Sequence, residues 1–187
     1  RTGAGGHPRQ ARRCGGGPAG WRGARGARDH GQALAGGNSV QPLVDGDTAY
    51  PAMLSAIDGA QRSITLQTYI FHNDEAGDAF VEALARAHAR GVQVRVLVDA
   101  VGARYRPAGV LKRLRAQGIG CALFLRPAIT RLLSHINLRN HRKILVVDGV
   151  VGFTGGMNIS ANHWLALHPA APAHCLHFEV RGPVVTD

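Results

Sequence analysis

The chain has 187 residues, 45% of them hydrophobic and 18% charged, which is enough apolar surface for one domain with its own core. Its formal net charge is +10, of which residues 1–38 supply +6 through seven arginines against one acid; the basic excess favours phosphate-bearing partners, either nucleic acid or anionic lipid. The three cysteines show neither metal-ligand nor disulfide spacing, and no apolar run approaches the roughly 18 residues of a membrane span, which excludes a disulfide scaffold and a transmembrane segment within this sequence.

Residues 1–38 contain twelve glycines mixed with arginine, alanine and proline, without a hydrophobic period. Such a composition buries too little surface to offset the entropy of ordering, which predicts a disordered segment or linker. RNA-binding tails can also be rich in arginine and glycine, but Trp21 is the one aromatic residue here. The folded domain is predicted over residues 39–187. Because the sequence starts at Arg1 and stops within a predicted element, we expect it to be a piece of a longer protein.

From about Val40 onward, helical and strand periodicities alternate. The predicted elements are a helix capped by Asp47 or Thr48 with Tyr50, Met53, Leu54 and Ile57 inward, a strand at 63–71, a helix at 75–90, a strand at 92–99, a helix from Pro107 to Gly118 and a strand at 121–126. This order implies right-handed crossovers, so the predicted fold class is α/β, with a mixed, largely parallel sheet and helices on both faces. Ligands in such sheets bind beyond strand ends, and a loop at 127–140 leads to the most informative segment.

That segment is HRKILVVDGVVGFTGGMN, residues 141–158. Residues 144–147 and 150–153 are apolar and largely β-branched, which favours two buried strands. Asp148-Gly149 lies between them and is a strong signal for a two-residue hairpin turn. The segment is therefore predicted to run out and back along the sheet, with polar residues at its open end.

The polar residues of this hairpin form a pattern suited to phosphate chemistry. His141 and Lys143 are two residues apart, so on a strand they share one face, and the hairpin returns Asn158 toward them. Gly155 and Gly156 would let the backbone approach a ligand closely. Lys143 would neutralise one phosphoryl oxygen, Asn158 would hydrogen-bond another, and His141 would attack phosphorus to form a phosphohistidine, without a metal or other cofactor.

A His-x-Lys pair alone is more often a solvated strand end than a catalyst. The full pattern, in contrast, should arise by chance at on the order of one position in a million. It resembles the H-x-K-x4-D motif of the phospholipase D superfamily, followed by Gly-Gly-x-Asn. The phrases LVDGDTAYPAMLSAIDGAQRSITLQTYIFHND and NLRNHRKILVVDGVVGFTGGMNIS are further similar to bacterial cardiolipin synthases and their relatives, over roughly residues 38–187.

The resemblance implies a catalytic trio of His141, Lys143 and Asp148, in a cleft shared by two such motifs. One histidine becomes phosphorylated, and the other acts as general acid and base. This sequence carries one motif, so it would supply half of the active site. The second half would come from a missing C-terminal part or from a second subunit, as in small nuclease relatives.

The sequence departs from the family at Cys175, where the resemblance implies an aspartate that orients the histidine. A cysteine serves this role poorly and is read first as a small buried hydrophobe, while Asp148 or Glu179 could partly cover the role. Gln67 and Tyr69 share one face of the predicted strand at 63–71. They are candidates either for the cleft or for core packing.

These observations lead to three functional hypotheses. The first is a phosphatidyltransferase of the cardiolipin synthase type that acts on phosphatidylglycerol at the bacterial cytoplasmic membrane, held there peripherally or by segments outside this sequence. The second is a metal-independent nuclease that uses the same chemistry as a dimer on nucleic acid. The third is a catalytically incomplete module that binds anionic phosphate.

Overall fold

The computed structural model describes residues 36–99, 108–124 and 140–186, in which one sheet of seven strands packs with three α-helices. The strands are β1 (Ser39–Val44), β2 (Ser63–Thr68), β3 (Gln93–Asp99), β4 (Gly120–Phe124), β5 (Ile144–Val147), β6 (Val151–Gly155) and β7 (Leu176–Arg181). The helices are α1 (Asp45–Gly59), α2 (Glu75–Ala89) and α3 (Ala108–Ala116). The predictions for residues 1–35, for Pro107 and for the loop at 127–139 lie outside the described residues.

The strand order across the sheet is β1-β7-β6-β5-β2-β3-β4. The pairs β2–β3 and β3–β4 are parallel, whereas the other four pairs are antiparallel. The predicted α/β class and mixed sheet are confirmed, but the expectation of a largely parallel sheet is wrong. Among the described residues, α1, α2 and α3 each lie between two of the first four strands. Strands β5 and β6 form a hairpin, and residues 156–175 lead back to β7, which gives antiparallel pairing.

The three helices form one layer, because α2 packs against both α1 and α3. The strand residues that face this layer are buried, and they alternate with exposed or half-buried neighbours, as Leu66 and Val96 do with Thr65 and Arg95. Within the described residues the prediction of helices on both faces therefore holds for one face. No helix in this part of the chain is long and apolar enough to cross a membrane.

Helix α1 begins at Asp45, before either predicted cap, and no side chain caps it at Val44. The Asp47 carboxylate instead accepts the backbone N–H groups of Leu165 at 3.1 Å and Ala166 at 2.8 Å. A contact between residues far apart in sequence thus replaces the predicted local cap. As a result, the segment that follows the hairpin is tied to the first helix.

The hairpin is confirmed, with one difference in its turn. Val147 pairs with Val151, so the turn has three residues, 148–150, rather than two. Asp148 and Gly149 both have positive φ, at 55° and 68°. A three-residue loop with left-handed positions is the next most common hairpin connection after the two-residue one. The strand β6 consequently starts one residue later than predicted.

Candidate active site

His141 and Lys143 lie immediately before β5, at the end of the sheet where β2 stops, because β5 runs antiparallel to β2 with Gln67 opposite Ile144. Tyr69 follows β2 directly, and its ring lies against the His141 imidazole with 4.2 Å between ring centroids. The Lys143 ammonium lies 5.4 Å from the centroid of the same ring and donates a hydrogen bond to the His141 carbonyl at 2.8 Å. The structure therefore brings together His141, Lys143 and the candidate cleft residue Tyr69.

Lys143 is half-buried and lines a small cavity with Gln67, Met157 and His177. Burial lowers the pKa of the Lys143 ammonium below its ordinary value, and the nearby Cys175 sulfur opposes this shift. An ammonium held in partly apolar surroundings interacts more strongly with an anion than a fully solvated one. Its placement suits an anionic ligand at the strand ends.

His177 also lines this cavity, although the motif does not identify it, because no lysine follows it two residues later. Its side chain is 1% exposed, and it is opposite Gly155 in the β6–β7 register. Burial, together with the charges of His163 and Lys143, lowers the pKa of His177 to about 4, so the ring is neutral at physiological pH. Its Nδ1 is buried without a hydrogen-bond partner in the part of the chain that the structure describes.

Asn158 is held by hydrogen bonds from two other parts of the chain, the residues after β2 and helix α1. Its side-chain oxygen accepts the backbone N–H of Ile70 at 3.1 Å, and its carbonyl accepts the hydroxyl of Tyr50 at 2.7 Å. Tyr50 belongs to α1 and is fully buried, and the burial raises the pKa of its hydroxyl. Because the amide oxygen is bound to Ile70, the amide NH₂ remains as the donor end of the side chain.

Asp74 links the segment after Asn158 to the start of α2. One carboxylate oxygen caps the helix by accepting the Gly77 N–H at 3.0 Å, and the other accepts the Ala161 N–H at 2.8 Å. A bridge between Phe71 and Ile159 lies between these points. The position of Asp74 just before a helical run is a sequence signal for its cap, but nothing local predicts its contact with Ala161.

Gly155 and Gly156 are packed against β7. A β-carbon on Gly155 would lie 2.7 Å from the Leu176 carbonyl oxygen, and one on Gly156 would lie 2.9 Å from the Cys175 sulfur. The Gly156 N–H already donates to the Leu176 carbonyl at 3.1 Å. The close approach that these glycines permit is thus to a neighbouring strand, and their predicted contact with a phosphate stays a prediction.

Asp148 lies at the opposite end of β5 from His141, so the structure does not bring it together with the other two members of the predicted trio. Its carboxylate accepts three consecutive backbone N–H groups, those of Gln61 at 2.8 Å, Arg62 at 2.7 Å and Ser63 at 2.8 Å. These bonds fix the start of β2 to the hairpin turn. The geometry gives Asp148 a structural contact with β2.

We expect Asp148→Asn to lower the free energy of unfolding by about 2–3 kcal/mol at neutral pH, because three N–H groups lose a charged acceptor. Burial alone would raise the pKa of Asp148, but the N–H groups of residues 61–63 and the Arg62 charge outweigh it and lower the pKa. Its stabilisation is therefore complete above the unfolded pKa, near 3.8, and is lost as the pH falls through the lowered folded value. Urea unfolding between pH 2 and pH 7 would measure both effects.

The control for this variant is Asp58→Asn, since Asp58 forms an exposed pair with Arg86. Such pairs contribute about 0–1 kcal/mol, so the control should change little. A loss in Asp148→Asn no larger than in the control, or a loss of activity per folded molecule without a loss of stability, would contradict the structural role.

The remaining candidate residues are placed as follows. Gln67 lines the cavity beside Lys143, as above. Glu179, in β7, accepts a hydrogen bond from the Arg181 guanidinium at 2.6 Å and is opposite Phe153 in the register of β6 and β7. Cys175 is half-buried beside Gly156, and its backbone N–H donates to Asp45 at 2.8 Å.

Asp99 was missed by the sequence reasoning. It ends β3, is 2% exposed, and accepts the backbone N–H of Asn140, the residue before His141, at 3.0 Å. A sequence signal for it exists, because an acid that ends a buried parallel strand lies at the edge where ligands bind.

Among the described residues, no group of three His, Cys, Asp or Glu side chains is arranged to hold a metal ion.

Curated proteins with established names are similar to this chain in sequence. Two curated proteins named cardiolipin synthase A, from Pseudomonas fluorescens and Pseudomonas putida, are 35% and 38% identical to it over 148 and 149 residues. Each match covers 79% of this chain but 31% of the relative. The chain thus spans about a third of the length of the curated relatives that it matches.

The fold has matches among solved structures. Nuc from Salmonella typhimurium, a phospholipase D family member, matches with a TM-score of 0.61 and 24% identity over 80% of this chain and 87% of its own. NucT from Helicobacter pylori matches with a TM-score of 0.62 and 15% identity over 80% and 89%. At these identities the likeness concerns the fold.

The family model described as "Cardiolipin synthase, PLD-like domain" matches residues 53–168, more than half of the sequence. The chain is therefore a member of the cardiolipin synthase family of phospholipase D-like domains.

Proposed function

We propose that this domain supplies one half of the active site of a phosphatidyltransferase of the cardiolipin synthase type. The observation that carries the proposal is the cluster of His141, Lys143 and Tyr69 at the strand ends. Asn158 is held beside it through Ile70, the neighbour of Tyr69. An imidazole, an ammonium and an amide donor at one edge are the groups that attack on phosphorus requires.

In the proposed reaction, an imidazole nitrogen of His141 attacks the phosphorus of phosphatidylglycerol. A bond from nitrogen to phosphorus forms, and the bond from phosphorus to the glycerol oxygen breaks. Lys143 and the amide of Asn158 stabilise the charge on the phosphoryl oxygens, and the glycerol oxygen takes a proton from an acid of the second half-site. The hydroxyl of a second lipid then attacks the phosphorus of the phosphohistidine and gives its proton to the same group of the second half-site, which now acts as a base. The bond from phosphorus to nitrogen breaks, and His141 is freed.

The second half-site comes from elsewhere in the full-length protein or from a second copy. This follows from the single H-x-K-x4-D motif of the sequence, which offers one histidine of the pair. Asp148 contributes to the site by holding the hairpin to β2. Gly155 and Gly156 contribute by allowing β7 and the residue before it to pack closely against them. The substrate places the protein at the membrane surface.

The test mixes the full-length protein that contains this chain with phosphatidylglycerol vesicles. Mass spectrometry should detect cardiolipin and released glycerol in equal amounts, and His141→Ala should abolish both. A phosphorylated His141 trapped by acid quench would identify the intermediate. The control variant is His88→Ala, since His88 lies on α2 outside the site.

Other products would support a different function. Phosphatidic acid without cardiolipin would mean that water is the acceptor. Cleavage of single-stranded DNA without any lipid product would favour the nuclease hypothesis. Vesicle binding without turnover, unchanged by His141→Ala, would leave the anionic-phosphate-binding module.

A further inference from the structure

The imidazole of His141 needs a restraint that the described carboxylates do not provide. His141 is exposed, so its ring would be free to sample several rotamers in solvent. Asp148 is bound to the start of β2, Glu179 to Arg181, and Asp45 to His174 and the backbone of residue 175. In the part of the chain that the structure describes, the imidazole contacts the ring of Tyr69 and forms no side-chain hydrogen bond.

The Tyr69 ring touches both functional groups of the motif. Its plane is inclined by 35° to that of His141, at a centroid distance of 4.2 Å, which is a tilted contact between the two rings. The Lys143 ammonium lies over the same ring at 5.4 Å, within the range of a cation–π interaction. One side chain therefore constrains the plane of the nucleophile and the position of the cation beside it.

The location of Tyr69 makes the contact rigid. Its chain neighbour Thr68 is buried at the end of β2, and the next residue, Ile70, donates its N–H to Asn158 and accepts the N–H of Ile159 at 3.1 Å. The backbone on both sides of Tyr69 is thereby fixed. The ring itself is half-buried, so it can meet solvent and ligand as well as the motif.

We propose that Tyr69 is a positioning residue of this site, whose ring sets the plane of the His141 imidazole and holds the Lys143 ammonium next to it. The inference rests on the proposed function for its kinetic consequence, but its structural part stands alone. Both contacts use the face of the ring, so the hydroxyl is dispensable. Tyr69→Phe should therefore behave as the native protein does, whereas Tyr69→Leu should lose the ring contacts with His141 and Lys143.

The kinetic test measures cardiolipin formation by the full-length protein carrying each variant. We expect Tyr69→Leu to lower kcat by about ten- to a hundredfold, as loss of a residue that orients a reacting group does elsewhere, with little change in KM. Tyr69→Phe should restore the native kcat. Tyr69→Met, a flexible side chain of similar size, is a second ring-free variant in case Tyr69→Leu fails to fold.

The structural test is independent of turnover. In protein with isotope-labelled histidine, the NMR signals of the His141 ring, identified by their loss in His141→Gln, should show the shielding that a stacked aromatic ring causes. The shielding should persist in Tyr69→Phe and disappear in Tyr69→Leu or Tyr69→Met. Unchanged signals in the ring-free variants would overturn the proposal, as would a native kcat in both.

If the native protein makes no cardiolipin, the proposed function fails, and the NMR result alone decides the role of Tyr69. If cardiolipin forms and the ring-free variants are slow but keep the shielding of His141, the positioning role is wrong while the proposed function stands. The two failures are thus distinguishable.

Discussion

Lys143→Met is expected to slow cardiolipin formation by about a thousandfold or more while leaving the fold intact. The ammonium is hydrogen-bonded to the His141 carbonyl and lies over the Tyr69 ring that His141 also contacts. Charge that develops on the phosphoryl oxygens in the transition state would lose its electrostatic partner. Methionine keeps most of the side-chain volume, so the change removes charge more than packing.

The same substitution should not lower the free energy of unfolding. Burial lowers the pKa of Lys143 in the folded protein, so the folded state holds this proton less tightly than the unfolded chain does. The charged lysine therefore costs stability below its folded pKa, and a neutral side chain removes that cost. We expect an equal or higher unfolding midpoint at pH 7, measured by thermal or urea unfolding.

The matched control is Lys112→Met, because Lys112 is an exposed lysine of α3. It should retain native activity and stability. If Lys143→Met kept more than about a tenth of the native rate, or if it lost activity only in proportion to lost folded protein, Lys143 would not be the phosphate-neutralising group.

Gly155→Ala is expected to lower the free energy of unfolding by about 3 kcal/mol or more. Gly155 has φ at 150°, a region that L side chains rarely adopt, and its added β-carbon would lie 2.7 Å from the Leu176 carbonyl oxygen and 2.8 Å from His177 Cα. Backbone atoms of a paired strand cannot move aside without breaking the β6–β7 ladder. The variant should also lose activity, since the chain runs from this point directly to Asn158.

Two neighbouring glycines provide controls for Gly155→Ala. At Gly156 the added β-carbon would meet the Cys175 sulfur at 2.9 Å, which is the end of a movable side chain, so Gly156→Ala should cost about 1 kcal/mol. At Gly152 it would meet a Val185 methyl at 3.5 Å, an ordinary contact, so Gly152→Ala should be milder still. Urea unfolding of the three variants should rank them in this order, and equal losses would contradict the steric argument.

Local patterns in the sequence predicted most of the described elements. The alternation at 63–71 and the apolar run at 144–147 gave strands, and Asp148-Gly149 gave the hairpin, because these signals depend on neighbouring residues. The strand β1 was missed, since Pro42 within it argues against a central strand. In the structure, Pro42 lies on the edge strand of the described sheet, where a missing N–H is tolerated.

The support of the site could not be read from the sequence. Tyr50 holds the carbonyl of Asn158 from 108 residues away, and Asp148 holds residues 61–63 from 85–87 residues away. A buried tyrosine on a helix and an aspartate in a turn both have adequate local explanations, so no local pattern indicates these partners. The motif predicted that His141 and Lys143 lie together, but it also grouped Asp148 with them, and Asp148 lies at the other end of β5. The contacts that hold the site depend on the tertiary fold.

The pairing of β1 with β7 brings the two ends of the described domain to one corner of the sheet. Ser39 is the register partner of Arg181, at the outer edge. A further domain joined at the Ser39 end and one joined at the Arg181 end would therefore start from nearly the same point of the sheet. The distance to the rest of the domain favours neither end. It also follows that a fragment trimmed to the family match at residues 53–168 would lack both of these strands and would expose β6 as a new edge, open to pairing with other chains.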